Sequence, residues 1–162
     1  MTPATVVPKL LHTFSPIPPG GASFASSPSS QTSTGMRQSR ERDSRQVLVV
    51  DDDASILRLL RMIFREADFD VATSSNGQEA LDAVEQSEPS AIVLDLEMPV
   101  MDGRTFVREL RSRGYKTPVL ILSAYGARQA QRELDAQAGI DKPFDPDRVV
   151  AAVTSLLDSH WH

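Results

Sequence analysis

The chain contains no cysteine. Neither a disulfide nor a thiolate-bound zinc can hold it together, which fits a reducing cytosol. No apolar run approaches the roughly 18 residues that a membrane span requires. No acid occurs before Glu41, but only one basic residue, Lys9, precedes Arg37. With no charged leader and no long apolar core, the start does not have the form of a secretory signal. The net charge is −5, unevenly spread: residues 1–45 carry +3 and the remainder −8. An acidic globular part argues against non-specific nucleic-acid binding.

The 162 residues suggest one domain with a tail. Residues 1–45 are rich in Ser, Thr, Pro and Gly, as in Ser15-Pro16-Ile17-Pro18-Pro19-Gly20-Gly21. Their apolar residues keep no period and cannot offset the entropy of ordering, so a disordered extension is expected. Met36 offers an alternative gene start. The basic run Arg37, Arg40, Arg42 and Arg45 is broken by Glu41 and Asp43 and reads as a solvated linker. Residues 159–162 read as a solvated tail, although His160 and His162 flank Trp161.

Between these ends, over residues 46–158, short apolar runs alternate with helical patterns. The strands are expected at Gln46–Val50, Phe69–Thr73, Ala91–Leu94 and Pro118–Leu122. A first helix carries Ile56, Leu57, Leu60, Ile63 and Phe64 at helical spacing. A second follows Asn76-Gly77 and closes at Glu88-Pro89. The third starts near Gly103 and stops at Gly114. The fourth runs from about Ala127 to Ala138 with a thin stripe, and the fifth opens at Asp145-Pro146. This alternation means a parallel sheet buried on both faces.

Ligands of such sheets bind beyond the carboxyl ends of the strands. The informative feature is what stands there. Val47-Leu48-Val49-Val50 runs into Asp51-Asp52-Asp53, and Ala91-Ile92-Val93-Leu94 into Asp95. Val119-Leu120-Ile121-Leu122 runs into Ser123, and Lys142 precedes Pro143. Right-handed crossovers set the first and third strands side by side, so Asp51, Asp52 and Asp95 converge. Two unit charges about 4 Å apart repel by roughly 4 kcal/mol at an effective dielectric of 20. A hard divalent cation such as magnesium is the natural partner for such a group. A carboxylate can also be a phosphoryl acceptor when a metal, a lysine and a hydroxyl hold the phosphoryl oxygens. Asp95, Lys142 and Ser123 suit those roles.

These stretches, with Leu96-Glu97-Met98-Pro99, Met101-Asp102-Gly103, Ser123-Ala124 and Lys142-Pro143-Phe144, resemble a response-regulator receiver domain over residues 46–158. The resemblance implies a flavodoxin-like doubly wound α/β sheet of order 2-1-3-4-5. It implies that Asp95 accepts a phosphoryl group from a sensor histidine kinase or a histidine phosphotransfer protein. It places Mg2+ on Asp51, Asp52, Asp95 and the Glu97 carbonyl, with Asp52 ligating directly and Asp51 largely through water. Ser123 would bond the phosphoryl oxygen, Lys142 would pair with it, and small Ala124 would leave it room. Glu97 and Tyr125 lie where side chains govern access of the hydrolytic water, although both also read as ordinary loop residues.

The pattern breaks once. The family usually has a full strand between the glycine ending the fourth helix and the lysine. Here only Ile140 and Asp141 separate Gly139 from Lys142, about four residues too few. At roughly 3.3 Å per residue that removes about 13 Å of strand. The fifth strand is therefore expected to be truncated, a stub, or rebuilt by unwinding the end of the polar fourth helix. The shortening sets at issue whether Lys142 reaches the acids. It also predicts that the fourth strand becomes an edge, that the domain is marginal, and that Ala136–Lys142 is mobile. The aromatic that usually moves with the hydroxyl has no counterpart.

The expected function is a stand-alone phosphoacceptor in a two-component relay, cytoplasmic, without direct DNA binding or membrane contact. It would act through contacts with a downstream protein and catalyse only its own phosphorylation and dephosphorylation. One rival is a degenerate receiver that binds partners irrespective of phosphorylation. Another is a magnesium-dependent phosphatase with Asp95 as nucleophile and Glu97 as acid-base, which Pro99 and Asp102-Gly103 fit less well.

Overall fold

A computed structural model describes residues 45–160. Residues 1–44 of the expected extension 1–45, and residues 161 and 162 of the tail, lie outside the described residues. The strands are β1 (Gln46–Val50), β2 (Asp70–Ser74), β3 (Ala91–Asp95), β4 (Val119–Ser123) and β5 (Ala138–Asp141). The helices are α1 (Ala54–Glu66), α2 (Gly77–Gln86), α3 (Gly103–Ser112), α4 (Ala127–Glu133) and α5 (Pro146–His160). All strand pairings are parallel, in the order β2-β1-β3-β4-β5. This is the flavodoxin-like arrangement.

The continuous apolar runs are explained by burial on both sides. Successive strand side chains point to opposite faces. Leu48, Val50, Ile92, Leu94 and Ile121 pack with Leu81, Val84, Phe106, Val107 and Leu110, on the face carrying α2, α3 and α4. Val47, Val49, Val93, Leu120 and Leu122 pack with Leu60, Phe64, Val149 and Val153, on the face of α1 and α5.

Short polar side chains start the first three helices. Asp53 accepts from the Ser55 N–H, Asn76 from Glu79, and Asp102 from Thr105. Glu79 reaches back to the Ser75 N–H, completing a reciprocal cap. By contrast Gly126, the residue before α4, has φ 70° and offers no side-chain cap.

The fifth strand corrects part of the sequence expectation. It is rebuilt from the end of the helix, not reduced to a stub. α4 stops at Glu133, five residues before the expected Ala138. Asp135 turns the chain at φ 52°. The Gln137 N–H then donates to the Val119 carbonyl at 3.0 Å, and its side-chain oxygen accepts from the Val119 N–H at 2.7 Å. From there β5 pairs with β4 in four steps, Leu120 with Ala138 through Ser123 with Asp141. β4 is therefore an inner strand. The segment expected to be mobile is hydrogen-bonded to β4, and its Ala136 and Ile140 are buried. No helix among the described residues is long and apolar enough to cross a membrane.

Candidate functional site

The site lies beyond the carboxyl ends of β1, β3, β4 and β5, where the topology requires it. Asp51 follows β1 and is buried. Its Oδ1 accepts from the Asp53 N–H at 2.9 Å, and its Oδ2 from Lys142 Nζ at 2.9 Å. Asp95 ends β3 and is also buried. Lys142 Nζ stands 3.4 Å from its Oδ1. Lys142 therefore reaches both acids despite the short connection from Gly139. Asp52 is exposed and has no hydrogen-bond or ion-pair partner among the described residues. Each of Asp51, Asp52 and Asp95 offers an oxygen, and these three atoms lie within 4.8 Å of one another.

Helix α3 fixes the loop after Asp95. The Gly103 N–H donates to the Leu96 carbonyl at 2.9 Å. A Cβ on Gly103 would lie 2.4 Å from the Asp95 carbonyl oxygen and 2.8 Å from Leu96 Cα, so the helix start sits directly on the backbone of the acid. Met101 in the same loop accepts from the Gly77 N–H at 3.0 Å, which ties the loop to α2 as well.

The charges are arranged unevenly. Burial raises the Asp95 carboxyl above its ordinary range and the neighbouring Asp51 charge raises it further, while Lys142 and the Glu97 N–H oppose them. Burial pulls Lys142 down, but its hydrogen bond to Asp51 and the charges of Asp51 and Asp95 outweigh that, leaving it above the usual lysine range. Lys142 is thus held as an ammonium between Asp51 and Asp95. Three acids and one lysine leave an excess of negative charge with hard oxygen donors, one of them free, which suits a small divalent cation.

The remaining candidates surround this centre. Glu97 is exposed and its side chain is outside the acid cluster. Ser123 is buried, but its Oγ donates to the Tyr125 carbonyl at 3.0 Å rather than to an acid. Ala124 is exposed beside it. Glu97, Tyr125 and Ser123 line a hollow of about 360 Å³ with Met98, Asp102 and Arg104.

Two features here escaped the sequence reading. Arg104 spans from α3 to Glu133 of α4 at 2.6 Å. Asp141 Oδ1 accepts from the Ala127 N–H at 2.8 Å, capping α4 from across the sheet. The missing cap at Gly126 was the available signal for the second, but its partner lies 14 residues on and only strand register reveals it.

The family described as "Response regulator receiver domain" matches residues 47–154. The chain belongs to this family. Among curated relatives, the "Transcriptional regulatory protein PrrA" of Mycobacterium tuberculosis is 43% identical over 117 residues, covering 70% of this chain and 50% of that protein. The Bacillus subtilis "Alkaline phosphatase synthesis transcriptional regulatory protein PhoP" is 36% identical over 118 residues, covering 70% and 49%. The receiver thus spans about half the length of the curated relatives it matches. Among solved structures, the receiver domain of Francisella response regulator 1452 aligns with TM-score 0.68 and 31% identity, covering 72% of this chain and 98% of that one. Vibrio cholerae chemotaxis protein CheY4 aligns with TM-score 0.64 and 31% identity, covering 68% and 96%. Receivers of this family bind Mg2+ through an aspartate cluster, and Asp51, Asp52 and Asp95 form such a group here.

Proposed function

We propose that this receiver is the phosphoacceptor of a two-component relay and that Asp95 carries the phosphoryl group. The observation that supports it most is Lys142 Nζ standing between Asp51 and Asp95 at 2.9 and 3.4 Å. An Asp95 oxygen attacks phosphorus, the phosphorus–nitrogen bond to a donor histidine breaks, and the leaving imidazole takes the electron pair and a proton. Lys142 moves from the carboxylates toward the incoming phosphoryl oxygens, and Ser123 leaves the Tyr125 carbonyl to bond another. The exposed, small Ala124 leaves that space open. Asp51, Asp52, Asp95 and the Glu97 carbonyl would hold Mg2+, which would supply counter-charge for the phosphoryl oxygens. Water attack at phosphorus releases inorganic phosphate and restores the Asp95 carboxylate.

In this reading the donor is a histidine kinase or a histidine phosphotransfer protein. The phosphorylated form acts through contacts with a downstream protein in the cytoplasm, and the receiver turns over no other substrate. The test is intact mass after incubation with Mg2+ and acetyl phosphate, with Asp95→Asn as control. One added phosphoryl group, absent in the variant, is expected. A folded protein that binds Mg2+ but gains no adduct would overturn the reading in favour of a phosphorylation-independent interaction module. Steady hydrolysis of a small phosphate ester would instead favour a phosphatase.

A further inference from the structure

The loop that carries Ser123 is pinned at both ends by two consecutive residues of the fifth-strand edge. At one end the Lys142 N–H donates to the Ser123 carbonyl at 2.7 Å. At the other, Asp141 Oδ1 accepts from the Ala127 N–H at 2.8 Å. Asp141 and Ser123 are also register partners across β4 and β5. Between the pins only Ala124, Tyr125 and Gly126 are free to change course, and all three are exposed. Ser123 Oγ is held by the main chain of Tyr125 within that loop, so turning to Asp95 gives up the bonds that tie it to the loop.

No side chain intervenes between α4 and β5 here. A Cβ on Gly139 would lie 2.6 Å from the Ala127 carbonyl oxygen and 2.8 Å from its carbon. The first residue of α4 therefore rests on the backbone of β5, in space that an aromatic side chain from that position could not share. The side-chain bond that ties this end of the loop to β5 is the one from Ala127 to Asp141.

We propose that Asp141 is a positioning residue for Ser123: it holds the start of α4 to β5, so that re-forming of the Ser123 loop displaces α4 and β5 together. The proposal rests on the receiver reading above. Asp141 stands outside the cluster of Asp51, Asp52 and Asp95. Its neighbour Lys142 senses the acids, while Asp141 senses the loop.

The experiment uses the full chain, as wild type, Asp141→Asn and Asp141→Ala. Amide exchange and amide resonances are recorded by NMR, first alone, then with Mg2+ and beryllofluoride as the phosphoryl stand-in. Without ligand, the Ala127 amide is expected to exchange about tenfold faster in Asp141→Ala, the scale of one lost hydrogen bond. Asp141→Asn keeps the accepting oxygen and should retain protection. With beryllofluoride, resonances of Ser123–Gly126 should shift in all three proteins. Those of Ala127–Glu133 and Ala138–Asp141 should shift in wild type and Asp141→Asn, and at most weakly in Asp141→Ala. Equal Ala127 exchange in wild type and Asp141→Ala overturns the positioning role. Equal spread of the shifts overturns the coupling and leaves the receiver reading intact. A wild type that does not respond to beryllofluoride overturns the receiver reading, and the coupling with it.

Discussion

Lys142 Nζ lies 2.9 Å from Asp51 Oδ2, across 91 residues of sequence, and binds a carboxylate that is almost wholly buried. Removing the ammonium would leave Asp51 and Asp95 facing each other with little beyond the N–H groups of Asp53 and Glu97. Breaking one partner of a buried pair typically costs about 3–5 kcal/mol. Lys142 is partly exposed, so about 2 kcal/mol is expected for Lys142→Ala in chelator at pH 7, read by chemical denaturation. Because the ammonium and a divalent cation compete for the same oxygens, Mg2+ should recover more stability in the variant than in wild type. Equal stability of the two proteins in chelator would refute the pairing.

The opposite sign is expected for Asp95→Asn. Burial and the Asp51 charge raise the Asp95 carboxyl in the folded state. A folded acid held above its unfolded value favours folding below the unfolded pKa. That advantage disappears as pH rises through the folded pKa, above which the full cost of the charge is present. Neutralising Asp95 should therefore stabilise the metal-free protein by on the order of 1 kcal/mol, a melting increase of a few degrees for a domain of this size. Saturating Mg2+ should narrow the gap, since only wild type regains a counter-charge there. A lower melting temperature for the variant in chelator would contradict the assignment.

Gly103 makes a sterically specific prediction. A methyl group there would press on the Asp95 carbonyl oxygen and Leu96 Cα, both main-chain atoms that cannot rotate away. Gly103→Ala should cost about 1–3 kcal/mol as overpacking. Because the clash falls on the acceptor's own backbone, it should also slow adduct formation with acetyl phosphate. Gly114→Ala is the control. It lies at the other end of α3, in open space and at φ 90°, and should lose some stability while leaving adduct formation unchanged.

The alternation of apolar runs and helical stripes made four strands and most helix starts legible, because burial on both faces demands continuous runs such as Val47–Val50. The convergence of Asp51, Asp52 and Asp95 followed from strand order alone. Rebuilding of the fifth strand from the helix end was among the expectations, but the helix end itself was placed too late for a physical reason. Ala130 to Ala138 is mostly good helix formers, so local propensity extends the helix. The stop at Glu133 is imposed from outside. Gln137 pairs with Val119 through both main chain and side chain, and Arg111 donates to the carbonyls of Tyr115 and Thr117 that lead into β4. The Gln137–Val119 pairing joins positions 18 residues apart, where periodicity has no reach. The Asp141 cap, 14 residues from Ala127, was invisible for the same reason.

Asp102 ties the helix cap below the acceptor loop to pH. Its carboxylate accepts from the Thr105 N–H at 2.7 Å, and that bond, aided by the Thr105 hydroxyl and by Arg108 and Arg104, holds it below the usual carboxylate range. A folded-state carboxyl held below its unfolded value contributes fully above the unfolded pKa, roughly 3.9. The contribution is lost as pH falls through the lower folded value. Asp102→Ala should cost about 1 kcal/mol at pH 7, the usual loss of an N-cap. Asp102→Asn keeps an accepting oxygen that does not titrate. The wild type's advantage over Asp102→Asn should therefore be flat from pH 8 to about pH 5 and shrink below the unfolded value. Urea midpoints for the three proteins across that range measure it. A wild-type advantage that persisted unchanged into strong acid would place the lowered carboxyl elsewhere in the fold.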